Sequence, residues 1–267
     1  MVIEGNILKM RTVLGSPVDY YLPVGEHEVY MNSLIGTRMK LSFTGTINCI
    51  SCGKRTKRSF SQGFCYRCLQ TAPEAAESVI RPALSKSHYG IARSMEWAEK
   101  QDLIDHIVYL AVACELKVGV TRHTGIPGRW IDQGATYAVK LAITPSRHIA
   151  GVMELYLSRF ITDRTHWQSM LTSPGNEIIN LSEEKHRVYD LLPSELQKYY
   201  CHNNEVVHIQ YPMLDYPDKV KGFTFDKEPV IEGALKGIKG QYLVFDESRV
   251  LNIRKHNGYY LQIETME

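Results

Sequence analysis

The sequence predicts an α+β fold in which a compact β-β-α-β-α unit lies between two regions of short strands. Three observations lead to this prediction. β-Prone runs separated by turns occupy residues 1–47 and return from residue 205 onwards. Four cysteines are grouped within residues 48–70. Between residues 106 and 161 the apolar pattern alternates between that of strands and that of short helices.

The elements of the central unit follow from this pattern in chain order. Pro127 suits the first position of a short helix, and Thr144 with Pro145 suits the N-cap and first position of a longer one. The predicted elements are strands at 106–113, 116–122 and 136–143, and helices at 127–133 and 145–161. Only a very tight turn separates the first two strands, so they form a hairpin.

The composition is that of an ordinary globular protein. The 267 residues are 44% hydrophobic and 22% charged, and the net charge is only +2, so any affinity for nucleic acid must come from local patches. The first five residues lack the pattern of a signal peptide, and no run approaches the roughly 20 apolar residues that cross a bilayer. We therefore expect a cytoplasmic protein with reduced cysteines and no membrane partner.

The cysteine spacing predicts one structural zinc ion. Cys49-x-x-Cys52 and Cys65-x-x-Cys68 are separated by twelve residues, and four thiolates fill a tetrahedral site without leaving a position for a catalytic water. Basic residues lie between the two pairs, with aromatic residues among them and no acid: Lys54, Arg55, Lys57 and Arg58. Such a ribbon suits a nucleic-acid backbone. The alternative is a solvated loop whose aromatic rings pack on the zinc core.

Four residues of the central unit could together cleave a phosphodiester. Tyr109 and Lys117 are suited to activating water, Arg129 to neutralising charge on phosphate, and Glu154 to holding a divalent cation. Glu154 projects from a largely apolar helix stripe, so it needs a cation or an arginine as its partner. The plainer interpretation is a core tyrosine, a solvated edge strand carrying Lys117 and Arg122, and an Arg129–Glu154 salt bridge.

The paired role of Tyr109 and Lys117 places a requirement on the hairpin. Side chains alternate between the two faces of a strand, so the register decides whether the two residues share a face. A three-residue loop at 113–115 places both on one face, whereas a two-residue loop at 114–115 separates them.

Residues 106–154 resemble the GIY-YIG nuclease domain, which is also a three-stranded sheet with flanking helices. Tyr109 takes the place of the tyrosine that ends the first motif, and Lys117-Val118-Gly119 that of the second. Arg129-Trp130 matches the catalytic arginine at the start of the following helix, and Glu154 the metal-binding glutamate. A histidine that often follows the arginine by four residues is replaced by Gln133.

The resemblance implies a metal-dependent endonuclease that acts on DNA or RNA with Mg²⁺ or Mn²⁺ bound at Glu154. It implies that Tyr109, with its pKa lowered by Lys117, deprotonates the attacking water, and that Arg129 stabilises the transition state. Arg122 is a possible second phosphate contact. The alternative is a non-catalytic nucleic-acid-binding protein on a degenerate nuclease fold, with Arg122, Arg129 and the ribbon as contacts.

Over its whole length the chain is similar to an uncharacterised bacterial family with the same zinc ribbon and the same stretches at 117–122 and 129–135. On these grounds we divide the chain into six parts: an N-terminal β region (1–47), a zinc ribbon (48–70), a helical connector (71–104), a GIY-YIG-like domain (105–175), a second helical connector (176–204) and a small C-terminal β module (205–267). The sequence gives no indication of the oligomeric state.

Overall fold

The structure is a computed structural model and describes residues 2–164, 166–175 and 179–266. The chain divides into two compact units, one formed by Met1–Gln70 with Ile209–Glu267 and the other by Thr71–His208. Strands and helices are mixed along the chain, so the predicted α+β class is confirmed. Within the described ranges, no helix is long and apolar enough to cross a membrane.

The described residues contain fifteen β-strands: β1 (Val2–Asn6), β2 (Arg11–Val13), β3 (Asp19–Val24), β4 (His27–Tyr30), β5 (Arg38–Asn48), β6 (Arg55–Thr56), β7 (His106–Val112), β8 (Leu116–Arg122), β9 (Tyr137–Thr144), β10 (Val207–His208), β11 (Lys221–Phe223), β12 (Val230–Lys239), β13 (Tyr242–Phe245), β14 (Arg249–Asn252) and β15 (Tyr259–Met266). The same residues contain eight α-helices: α1 (Tyr66–Thr71), α2 (Glu77–Ile80), α3 (Met95–Gln101), α4 (Gly128–Asp132), α5 (Arg147–Leu157), α6 (Trp167–Thr172), α7 (Leu181–Leu191) and α8 (Ser194–Gln197).

The first unit is built on a sheet of eight strands. Their order is β1-β15-β5-β12-β13-β14-β11, with β6 paired to β5 at the end of that strand. A separate antiparallel sheet has the order β2-β3-β4. Residues of β3 and β15 alternate between buried and partly exposed, which is the period of two that a sheet with one covered face requires.

The large sheet joins the two ends of the chain. β5 of the predicted N-terminal β region pairs with both β12 and β15 of the predicted C-terminal module, and β1 pairs with β15. The strands of the N-terminal and C-terminal regions therefore share one hydrophobic core in this unit, with Leu41, Ile231 and Ile263 fully or almost fully buried.

The second unit contains an antiparallel sheet of four strands in the order β10-β9-β7-β8. All seven residues of β7 are buried, because the strand lies between β8 and β9. One face of the sheet packs on α5 and α7 through an apolar core that includes Val108, Leu110, Val112, Val118, Leu141, Met153, Leu157 and Val188.

The central elements follow the predicted order, from β7 and β8 through α4 to β9 and α5, and each strand ends within one residue of its predicted end. The predicted N-cap of the long helix was wrong. Ser146 caps α5, with its hydroxyl accepting a hydrogen bond from the N–H of Ile149. Thr144 is instead the last residue of β9, and its hydroxyl donates to the carbonyl of His106.

The two predicted connectors contain helices and 3₁₀ turns in their described parts. Residues 71–104 hold α2, α3 and several 3₁₀ turns. One of these turns packs tightly on α5 at Gly151, where a Cβ atom would lie 2.1 Å from the nitrogen of Ala83. The second connector begins at residues 176–178, which lie outside the described residues, and its described part contains α7 and α8.

Candidate active site and metal centre

The hairpin of β7 and β8 has the register that the paired role of Tyr109 and Lys117 requires. Val112 pairs with Leu116, so the loop consists of the three residues 113–115. Lys117 lies opposite Ala111, which is two residues from Tyr109 and on the same face. The side chains of Tyr109 and Lys117 therefore project from one face of the sheet.

Gly119 provides the space that the Tyr109 ring occupies. The two residues are direct partners across the hairpin, and a Cβ atom at position 119 would lie 2.6 Å from the Tyr109 hydroxyl oxygen. The Tyr109 ring thus crosses over β8 at the one position without a side chain. Trp130 of α4 packs against the same ring edge to face, with 6.1 Å between ring centroids.

Glu154 reaches this region at the open edge of β8. The outward-facing N–H of Val118 donates to the carbonyl of Thr162 at 3.1 Å, which covers that part of the edge. Two residues further along, the N–H of Val120 hydrogen-bonds to the Glu154 carboxylate. α5 therefore places its lone carboxylate against the strand that carries Lys117 and Gly119.

Arg129 is the common neighbour of the other three residues. It lies in the first turn of α4, which begins directly after Pro127. Its guanidinium charge lowers the pKa of Tyr109, Lys117 and Glu154. For Tyr109 and Glu154 this opposes burial, which raises the pKa of an acid. For Lys117 it adds to burial, which lowers the pKa of an amine. The structure thus brings together all four residues proposed from the sequence.

Burial dominates the protonation of Lys117 and Tyr109. Lys117 is 2% exposed, and burial, reinforced by Arg129, lowers its pKa to about 7. Tyr109 is fully buried, and burial raises its pKa above the ordinary value. The expectation that Lys117 lowers the pKa of Tyr109 was therefore wrong, and the expectation of a solvated Lys117 was wrong as well. Lys117 and Glu154 can therefore both exchange a proton near neutral pH, whereas Tyr109 cannot.

Burial also dominates the protonation of Glu154. Burial, with a smaller contribution from the nearby Asp163 carboxylate, raises its pKa to about 7, although Arg129 and the Val120 N–H act in the opposite direction. A tight structural salt bridge would instead hold the pKa of Glu154 below its usual range. The oxygen donors of Glu154 and Asp163 suit a hard divalent cation such as Mg²⁺ or Mn²⁺, and two carboxylates leave most coordination positions to water or phosphate.

The four predicted cysteines form a group that fits one metal ion such as zinc. Their sulfur atoms all lie within 4.8 Å of one another, and Cys52 and Cys65 are separated by 3.9 Å between sulfur atoms. Zinc–sulfur bonds of about 2.3 Å in a tetrahedron require sulfur atoms about 3.8 Å apart. Among the described residues no other group of three or more His, Cys, Asp or Glu side chains lies close enough to share an ion.

A family model described as "Protein of unknown function (DUF2797)" matches residues 36–261. The chain belongs to the DUF2797 family. No curated protein and no solved structure matches the chain. The part of the chain that matches the DUF2797 model includes the cysteine cluster and all four residues of the candidate active site. The prediction of an uncharacterised family is therefore confirmed, although the family carries no assigned activity.

The DUF2797 structure adds two residues that the sequence analysis did not place in the site. Gln133 accepts a hydrogen bond of 2.6 Å from the Tyr109 hydroxyl. Its position four residues after Arg129 was the available signal, because the resemblance places a histidine there. Asp163 lies close enough to Glu154 to raise its pKa, and no pattern in the sequence pointed to it.

The structure does not bring Arg122 to this cluster. It lies five residues after Lys117 on the same strand, so its side chain projects to the opposite face. Its guanidinium donates to the side chain of Gln101, and burial lowers its pKa, with Arg147 adding to this effect and Asp102 opposing it. A contact between Arg122 and nucleic acid stays a prediction and would involve a different surface of the second unit.

The four basic residues of the ribbon are accessible in the first unit. Their side chains are all exposed: Lys54, Arg55, Lys57 and Arg58. The two pairs of cysteines lie at the turn after β5 and at the start of α1, where the N–H of Cys68 donates to the sulfur of Cys65 at 3.4 Å. The chain between them contains the short strand β6, which pairs with β5.

Proposed function

We propose that this chain is a metal-dependent endonuclease that hydrolyses phosphodiester bonds in DNA or RNA at the site around Arg129. The observation that carries the proposal is the placement of Tyr109 and Lys117 on one face of the β7–β8 hairpin, where the Arg129 charge acts on both of them and on Glu154. The order β7, β8, α4, β9, α5 and the resemblance of residues 106–154 to the GIY-YIG domain support the same assignment.

Lys117 is the proposed general base. An amine with a pKa of about 7 is half deprotonated near neutral pH and can accept the proton of the attacking water. The fully buried Tyr109 stays protonated, and its hydroxyl donates a hydrogen bond to Gln133. The hydroxyl oxygen of Tyr109 can orient the water beside Lys117. The water oxygen then bonds to phosphorus, the bond to the leaving oxygen breaks, and the leaving oxygen takes a proton from solvent.

Arg129 and Glu154 are the partly exposed members of the cluster, so the substrate would approach from their side. The Arg129 guanidinium offers planar N–H donors to the phosphate oxygens, on which negative charge increases in the transition state. Glu154, with Asp163 beside it, would hold a divalent cation. When bound, such a cation polarises the scissile phosphate and neutralises part of its charge.

The ribbon supplies a structural part of the same proposal. Four thiolates that match the sulfur spacing of tetrahedral zinc would fold residues 48–70 around one zinc ion and leave no position for a reacting water. The exposed basic residues of that segment would then contact the phosphate backbone of the substrate.

A cleavage assay with the Glu154→Ala variant tests the proposal. Labelled single-stranded and double-stranded substrates are incubated with Mn²⁺ and either the wild type, Glu154→Ala or the control Glu99→Ala, which replaces an exposed acid of α3. We expect cleavage by the wild type and the control and its loss in Glu154→Ala. Equal cleavage by all three proteins would reject Glu154 as the metal ligand.

The second candidate function is nucleic-acid binding without chemistry, and the exposed basic residues of the ribbon favour it because they do not depend on the Arg129 site. Equal binding by the wild type and Glu154→Ala, with no cleavage by either, would support this function over hydrolysis. Binding that does not weaken with salt would reject both functions, since phosphate contacts release counterions.

A further inference from the structure

Tyr66 is an exposed aromatic residue in the middle of the ribbon. Its side chain is 59% exposed, although it stands directly after Cys65 at the first position of α1. Cys65 and Cys68, which lie on either side of Tyr66 in the sequence, belong to the metal cluster, so the backbone on both sides of Tyr66 is fixed when the ion is bound.

Two neighbours orient the Tyr66 ring. Phe60 contacts it edge to face, with 5.7 Å between ring centroids and 61° between the ring planes. The side-chain amide nitrogen of Gln70, four residues further along α1, donates to the Tyr66 hydroxyl at 3.0 Å. Because the ring is already positioned, a ligand that stacks on it loses little side-chain entropy of the protein on binding.

The segment that carries this ring is positively charged. Arg58 places its guanidinium carbon 5.9 Å from the centroid of Phe60, the ring that supports Tyr66. Lys54, Arg55 and Lys57 are also exposed, and no acidic residue occurs between residues 49 and 68. An exposed aromatic ring in a segment whose charged side chains are all cationic matches a ligand that combines flat rings with phosphates.

We propose that the ribbon binds single-stranded nucleic acid by stacking an unpaired base on Tyr66 while its basic residues contact the backbone. The proposal rests on the nucleic-acid partner of the proposed function and is independent of the cleavage chemistry. Single strands are the preferred form, since their bases can turn a free face towards a protein ring. In a duplex both faces of each internal base are already stacked on neighbouring pairs, and only the charge contacts remain.

Fluorescence anisotropy tests this inference with the full-length protein. The probes are a labelled oligo(dT) of about 12 nucleotides and a mixed-sequence duplex of the same length, measured without added divalent cation so that only binding is observed. The proteins are the wild type, Tyr66→Ala, Tyr66→Phe and the control Tyr89→Ala, which removes a 73% exposed tyrosine from the second unit. Zinc content is measured for each protein to show that the ribbon is intact.

We expect Tyr66→Ala to weaken oligo(dT) binding about 5- to 150-fold, which is the range for loss of one base–aromatic stack. Tyr66→Phe keeps the ring and should bind within about twofold of the wild type, as should Tyr89→Ala, and duplex affinity should be the same for all four proteins. Unchanged oligo(dT) binding by zinc-loaded Tyr66→Ala, or an equal loss for oligo(dT) and duplex, would overturn the inference.

The two proposals fail in different ways. Absence of cleavage in the Glu154 assay rejects the nuclease chemistry and leaves the anisotropy result unaffected. If cleavage requires Glu154 but Tyr66→Ala binds oligo(dT) normally, only the base-stacking proposal is rejected and the nuclease proposal stands.

Discussion

Replacing Lys117 with methionine should stabilise the second unit below pH 7 and abolish the proposed proton transfer. Lys117 is 2% exposed, and its pKa is lowered from the ordinary 10.5 to about 7, chiefly by burial. Methionine retains the apolar stem of the side chain and removes the group that resists burial. The same residue would therefore be unfavourable for folding and necessary for the reaction, as is common at active sites.

The magnitude follows from the two pKa values. A decrease from 10.5 to about 7 corresponds to a cost of about 5 kcal/mol for holding the protonated lysine in the folded state, at 1.36 kcal/mol per pKa unit. Methionine cannot make the polar contacts of the amine, so we expect a net gain of about 2–4 kcal/mol in the free energy of unfolding.

The gain should depend on pH in a defined direction. Between pH 7 and 10.5 the unfolded chain keeps a proton on Lys117 that the folded chain has lost, so the wild type becomes more stable as the pH rises. The advantage of Lys117→Met is thus complete below pH 7 and disappears towards pH 10.5.

Urea unfolding followed by tryptophan fluorescence measures the stability of the second unit, which contains Lys117. The chain has three tryptophans, Trp97, Trp130 and Trp167, and all lie within the second unit. Measurements at about pH 6.5, 8 and 9.5 compare the wild type, Lys117→Met and the exposed control Lys100→Met, which should change stability by less than about 0.5 kcal/mol. Destabilisation by Lys117→Met at pH 6.5, or a difference that does not change with pH, would refute the assignment of Lys117 as a buried amine with a lowered pKa.

Three further predictions concern other parts of the chain. Gly119→Ala places a Cβ atom 2.6 Å from the Tyr109 hydroxyl, so it should destabilise the second unit by about 1–3 kcal/mol and impair cleavage, as measured by urea unfolding and product formation. Burial lowers the pKa of His106 from 6.5 to about 4, so its contribution to stability is present above pH 6.5 and is lost as the pH falls through about 4. The wild type should therefore lose up to about 3 kcal/mol relative to His106→Asn over this range. Chelation of the metal should make residues 49–68 sensitive to protease and weaken oligo(dT) binding, and re-addition of zinc should reverse both effects.

The cysteine cluster and the central strands were predictable because their signals are local. Two CxxC pairs at a set spacing specify a metal group wherever the segment lies in the fold. The β7 and β8 runs and the helix after Pro127 were likewise defined by short patterns. The register of the hairpin was different, since loops of two or three residues fit the same sequence, and only the pairing of Val112 with Leu116 distinguishes them.

The remaining features depend on contacts between distant parts of the chain. The pairing of β5 with β15 joins residues near the two ends, and no local pattern specifies such a partner. The proximity of Asp163 to Glu154 arises because the segment after α5 turns back along the edge of β8, where Thr162 pairs with Lys117. The direction of the Tyr109 pKa also required the structure, because the extent of burial is not visible in the sequence.

The position of Arg122 could have been inferred from the sequence. Once the run of residues 116–122 is taken as one strand, Arg122 lies five positions after Lys117, and side chains an odd number of positions apart face opposite sides. Treating both as members of one site was inconsistent with that alternation, and the contact of Arg122 with Gln101 shows its actual surroundings.

The most direct test of the proposed reaction centre is the single-turnover cleavage rate of the Arg129→Met variant with Mn²⁺. Arg129 is the common neighbour of Tyr109, Lys117 and Glu154, and it is the group assigned to the charge of the transition state. If the account is correct, the wild type cleaves a labelled oligonucleotide and Arg129→Met does so about 100- to 1,000-fold more slowly while binding it with similar affinity. Cleavage by Arg129→Met at the rate of the wild type would contradict the account.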